Sequence, residues 1–140
     1  MSYEEKGQWV YLIANVLTLG AYAVIVGGQV ASGGSVADID YVPTLLIAIG
    51  AAVALSVAGR VVVEIVYRSD SYKEDVRDKE IGRFGEYIGG ILLGVGMLVP
   101  FGLALARADH FWIANAMYAA FALSAFVGTV VRLVAYRRGL

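Results

Sequence analysis

The chain has 140 residues, 59% of them hydrophobic and 16% charged, with a mean hydropathy of +0.71; a water-soluble domain of this size cannot bury so large an apolar fraction, so lipid is its expected solvent. Eleven basic against twelve acidic residues give a net charge of −1, which excludes the clustered, unopposed cationic surface that nucleic acid needs. The absence of cysteine excludes disulfides, thiolate nucleophiles, cysteine-ligated zinc and iron–sulfur clusters within this sequence.

A helix crosses a hydrocarbon core of about 30 Å with about 20 apolar residues, and four runs meet that need: residues 9–30, 42–67, 84–106 and 111–131. The first follows Glu4, Glu5 and Lys6. A secretory leader would begin basic and be shorter, so this run is expected to stay as a span. It contains Asn15, which is expected to hydrogen-bond another helix, because an unsatisfied amide is costly against lipid. After residues 31–41 the second run closes with GRVVVEIVYR, residues 59–68, which sets Arg60 and Glu64 one turn apart. Two readings of that pair are open. If the hydrocarbon begins at Val42, Arg60 lies roughly 27 Å deep, at the far boundary, and its long stem snorkels to the headgroups. If the boundary lies at Arg68, Arg60 is about 12 Å inside and forms an intramembrane ion pair with Glu64, which would mark a proton or ion route. The interfacial placement is the less costly of the two.

Between the second and third runs, SDSYKEDVRDKEIGRF is the one long polar stretch. Ser71 with Glu74 fits a capping box, so a charged helix over 71–83 is expected to run on into the third span. Asp75 with Lys79, and Glu80 with Arg83, stand at spacings that neutralise each other on its surface. A self-paired charge run is ordinarily just solvated; the functional alternative is a docking surface formed by Asp75, Arg77 and Asp78. The third run holds two small-xxx-small pairs, Gly85 with Gly89 and Gly90 with Gly94, which let another backbone approach, from this chain or from a second copy. Pro100 removes the hydrogen bond to the Gly96 carbonyl and should bend the helix. The fourth run carries Asn115, again read as an interhelical partner. Four short helices leave little interior for a pore, so a substrate path would run between protomers.

Basic residues collect on cytoplasmic flanks. Lys6 precedes the first run; Arg68, Lys73, Arg77, Lys79 and Arg83 lie between the second and third; Arg132, Arg137 and Arg138 close the fourth; the other side has only Arg107. The expected arrangement is two in-out-in hairpins with both termini cytoplasmic. GRVVVEIVYR is echoed by GTVVRLVAYR, residues 128–137, which is either a parallel internal repeat or the coincidence of common span-end residues.

No catalytic chemistry is legible. Asp38, Asp40, Asp109 and His110 match no metal-ligand spacing and read as solvated loop residues. The lone histidine excludes bis-histidine haem within one chain, and no nucleophile and base come together. Neither cofactor nor metal is expected.

The stretch DVRDKEIGRFGEYIG, with Asp75, Arg77, Asp78, Ile81 and Gly85, together with HFWIAN and YRRG in the last run, resembles a family of small, uncharacterised prokaryotic membrane proteins known as a domain of unknown function. The resemblance covers mainly the second half of the chain. It implies a four-helix membrane protein and, loosely, an association with regulators or transport systems encoded nearby. It supplies no catalytic residues. The expectation is therefore an all-α integral protein of the cell membrane, homo-oligomeric and non-enzymatic, that senses or assists by docking a cytoplasmic or membrane partner. A small oligomeric transporter or channel, with Arg60, Glu64 and Asn115 along its path, is the alternative.

Overall fold

A computed structural model describes residues 3–66 and 76–138. Over these the chain is helical: α1 Tyr3–Ala31, a 3-10 turn Val36–Asp38, α2 Tyr41–Val66, α3 Val76–Gly96, α4 Leu98–Leu105 and α5 His110–Arg138. α3 and α4 are one span interrupted at Met97, so four helices of 26 to 30 residues are each long and apolar enough to cross a membrane. At 1.5 Å per residue these reach roughly 39–45 Å, which exceeds a hydrocarbon core of about 30 Å and carries several residues into the headgroup layers. The interruption has its cause in sequence: Pro100 cannot donate to Gly96, and α4 restarts with Phe101 N donating to Met97 O at 3.2 Å.

The ends of the helices are fixed locally. Gly33 takes a positive φ of 85° just past α1, the left-handed position that terminates a helix. Arg107 takes that position after α4, at φ 55°. There Ala108 N reaches back to Leu103 O at 2.9 Å and Arg107 N to Ala104 O at 3.1 Å, a paired closure usually built on glycine. Asp109 caps α5 by accepting from Phe111 N at 2.8 Å.

Packing is uneven. α1 lies against α2 and α5, α5 lies against α1, α3 and α4, and α2 and α3 barely touch. Only 6% of the most apolar stretch of α2 is buried, against 28% in α5, so most apolar surface is left for lipid rather than for a core. Tyr22, Val26, Ala48 and Phe111 form the buried apolar cluster. Elsewhere small residues set the helix spacing. A Cβ at Gly59 would overlap Val10, one at Gly128 would stand 3.1 Å from Gly85 O, and one at Gly96 would stand 3.2 Å from Ala120 Cβ. Gly128 and Gly85 thus bring α5 and α3 to backbone contact.

Candidate functional site

The polar residues of α1 recur at Glu4, Gln8, Tyr11 and Asn15, at spacings that keep them on one helical face. That face and α5 floor a cleft of about 790 Å3, walled on one side by Ser56 and Arg60 of α2 and on the other by Asp78, Gly82 and Glu86 of α3; Ser124, Thr129, Arg132 and Tyr136 complete it from α5. The room exists because α2 and α3 do not close on each other.

Two arginines organise the lining. Arg60 donates from Nη1 to Tyr11 Oη at 3.3 Å and from Nη2 to Glu4 Oε1 at 3.5 Å. Among the described residues no ion pair joins Arg60 to Glu64; the arginine reaches across to α1 instead of along its own helix. Arg132 donates from Nη2 to Glu86 Oε1 at 3.3 Å and from Nη1 to Gln8 Oε1 at 3.5 Å. Its stem crosses Gly85, where any Cβ would overlap it. The buried Nε of Arg132 has no hydrogen-bond partner, nor has the buried Oδ1 of Asn15. A guanidinium has five donors, so the two long contacts of Arg132 leave it under-satisfied, at a cost of order 1–3 kcal/mol for a buried donor. Ser124, by contrast, is satisfied, donating to Gly89 O at 2.8 Å.

The polar lining stops at Asn15 on α1, Ser56 on α2, Glu86 on α3 and Ser124 on α5. Beyond it lies the apolar cluster, and a second cavity of about 460 Å3 between α1 and α5 that shares no lining residue with the first. Tyr22 there donates to Asn115 Oδ1 at 2.7 Å, and Asn115 Nδ2 donates to Phe111 O at 2.8 Å. The Tyr22 and Tyr118 rings meet edge to face at 5.0 Å. The cleft is therefore a polar recess in one end of the bundle.

The residues singled out by sequence separate between these places. Asn15 and Arg60 line the cleft; Asn115 lies at the opposite end; Glu64 is exposed near the end of α2. Gly85 and Gly89 are buried against α5, Gly90 lines the cleft with nothing within 4 Å of an added Cβ, and Gly94 is equally open without lining it. Asp78 faces the cleft, and Arg77 donates to Tyr136 O at 3.4 Å. Asp75, with Ser71 and Glu74 of the expected capping box, lies outside the described residues. No group of three His, Asp or Glu able to hold a metal occurs among the described residues. Sequence reasoning passed over Glu4, Gln8, Glu86 and Ser124. The signal for the first two was present, as the four-three-four spacing that ends at Asn15.

No protein-family model, no curated protein and no solved structure matches the chain.

Proposed function

We propose that the chain is a non-enzymatic multi-pass protein of the cell membrane that binds a ligand or partner segment in the polar cleft and acts as a sensing or accessory component. The carrying observation is that the polar lining reaches only to Asn15, Ser56 and Ser124, while the other end of the bundle holds the apolar cluster of Tyr22, Val26, Ala48 and Phe111. A conducting path needs polar or hydrated lining from one face to the other, whereas a recess with both charge signs suits recognition. The distribution of Lys and Arg supports placing the cleft end, with both termini, in the cytoplasm, as two in-out-in hairpins. Arg77 and Asp78 at its mouth, with Asp75 beside them in sequence, are the residues we assign to docking a cytoplasmic partner, and the exposed face of α2 is the one we assign to a second copy. The prokaryotic family suggested by DVRDKEIGRFGEYIG accords with such a role.

The test pairs two measurements on purified protein. In proteoliposomes we expect no proton, ion or solute flux above empty vesicles. From native membrane in mild detergent we expect a co-purifying protein that is lost when Asp75, Arg77 and Asp78 are reversed in charge. A flux abolished by Arg60→Gln would replace this reading with the transporter.

A further inference from the structure

The cleft's chemistry narrows what it takes, granted that it is a binding recess. Its lining sets two guanidinium groups, Arg60 and Arg132, against three carboxylates, Glu4, Asp78 and Glu86, an excess of one negative charge. A simple anion meets a net repulsion there, and a simple cation leaves the arginines without use. A zwitterion answers both. The ends of the recess also differ: Glu4, Asp78, Arg60 and Arg132 lie within about six residues, or roughly 9 Å, of the described helix ends, near headgroup depth, and Glu86, further along α3, pairs back to Arg132, while Val53, Val57 and Leu93 line it further in. Charged at its outer end and mainly apolar further in, where Asn15, Ser56 and Ser124 stand among Val53, Val57 and Leu93, and open on the side where α2 and α3 part, it has the profile of one lipid standing in a leaflet.

We propose that the cleft binds a phospholipid with a zwitterionic, primary-ammonium headgroup, of the ethanolamine kind. The phosphodiester lies between Arg132 and Arg60, where its oxygens accept the donors that Arg132 now shares over 3.3 and 3.5 Å, and charge-assisted bonds to phosphate are the strong ones for arginine. The ammonium lies toward Glu86, whose side chain is 74% exposed, and Asp78. A primary ammonium donates hydrogen bonds to carboxylates. A choline headgroup cannot, and it prefers an aromatic cage that Tyr11 and Tyr136 alone do not make. The acyl chains rise along Val53, Val57 and Leu93, so that lipid is what covers the gap between α2 and α3. Gly82 beside the headgroup and Gly90 beside the acyl chains, where an added Cβ would meet nothing, keep that wall low enough for a lipid to enter.

The experiment is native mass spectrometry of the full chain, released from nanodiscs of equal parts phosphatidylethanolamine, phosphatidylglycerol and phosphatidylcholine with matched acyl chains, with flux measured on proteoliposomes of the same mixture. We expect phosphatidylethanolamine to be retained at least about tenfold over the other two, the worth of one good charge-assisted bond. Arg132→Gln should remove that preference. Because Arg132 also braces α3, Gly90→Leu provides the second arm: it fills the recess from an open position and should remove the preference, while Gly94→Leu, open but outside the recess, should keep it. Equal retention of the three lipids by every variant, with no flux, overturns the lipid while leaving a polar recess. Competition by tail-free glycerophosphoethanolamine at matching concentration makes the ligand a soluble zwitterion and overturns the lipid too. A Gly90→Leu variant that loses a dimer instead of a lipid makes the gap a contact between copies. Flux through the unmodified chain overturns the recess itself.

Discussion

The two ends of the bundle are built from the same four helices and pack in opposite ways. At the end bearing Tyr22, Val26, Ala48 and Phe111, α1, α2 and α5 meet through apolar side chains and aromatic edges. At the other, Glu4, Gln8, Tyr11 and Asn15 continue the same face of α1, and α2 and α3 stay apart around a polar recess. The change falls near Thr18, which satisfies its hydroxyl on its own helix by donating to Ala14 O at 2.8 Å. Helices in lipid gain nothing from hiding apolar surface from one another, so their spacing is decided by side-chain size and by polar groups that need partners. At the apolar end α1, α2 and α5 meet around Tyr22, Val26, Ala48 and Phe111 and leave a smaller cavity between α1 and α5; the polar end opens because long side chains span the space to find acceptors.

The strongest way to break that contrast is to disturb the close backbone approach of α3 and α5 at the open end, tightest at Gly128. Gly128→Leu would drive a side chain into Gly85 O, already 3.1 Å from an ideal Cβ, and backbone cannot move aside as a flexible side chain can. We expect a loss of about 3 kcal/mol or more, as for severe overpacking, read as a fall in the midpoint of thermal unfolding in detergent. If Gly128→Leu unfolds no earlier than the parent chain, α3 and α5 are not in backbone contact. The closed end should respond more moderately. Tyr22→Phe removes the donor to Asn115 Oδ1 and keeps the ring against Tyr118, for an expected cost of about 1 kcal/mol. Tyr22→Ala, which also removes the ring, should cost about 3 kcal/mol. A Tyr22→Phe cost as large as that of Tyr22→Ala would show that the hydrogen bond, not the apolar packing, closes this end.

Sequence made the four spans legible because a run of about 20 apolar residues has few other fates, and the break at Met97 followed from the missing amide of Pro100. The recess was harder to see. Glu4 and Gln8 sit near the start of α1, where polar residues are ordinary flank, and only Asn15 stood far enough in to look unusual. Gly85 with Gly89 and Gly90 with Gly94 read as two equivalent packing pairs. Yet Gly90 is five residues beyond Gly85, about 140° round the helix, and only the rotation of α3 against α5 decides that Gly85 packs while Gly90 borders open space. The same holds for Arg60. Helical spacing proposes Glu64 as its neighbour, but tertiary packing brings Glu4 and Tyr11 of α1 within reach, a pairing between residues 56 apart that no local pattern announces.

Arg60 also gives the smallest expected effect. Its side chain is 45% exposed, and its contact to Glu4 is 3.5 Å, the geometry of a solvent-screened pair whose worth is ordinarily below about 1 kcal/mol. Arg60→Gln keeps most of the stem on the α2 wall and removes only the charge. At the headgroup layer this should lower stability by about 0.5 kcal/mol at most, and the difference should shrink as salt rises to 1 M. A charge held at hydrocarbon depth would behave otherwise. Removing Arg60 there would leave Glu4 unpaired in a medium that does not solvate it, at a cost of several kcal/mol and with little response to salt. Unfolding midpoints of Arg60→Gln at low and high salt therefore separate the two depths. A large, salt-independent loss would move the boundary of the membrane outward past Arg60 and bring the whole polar recess into the lipid.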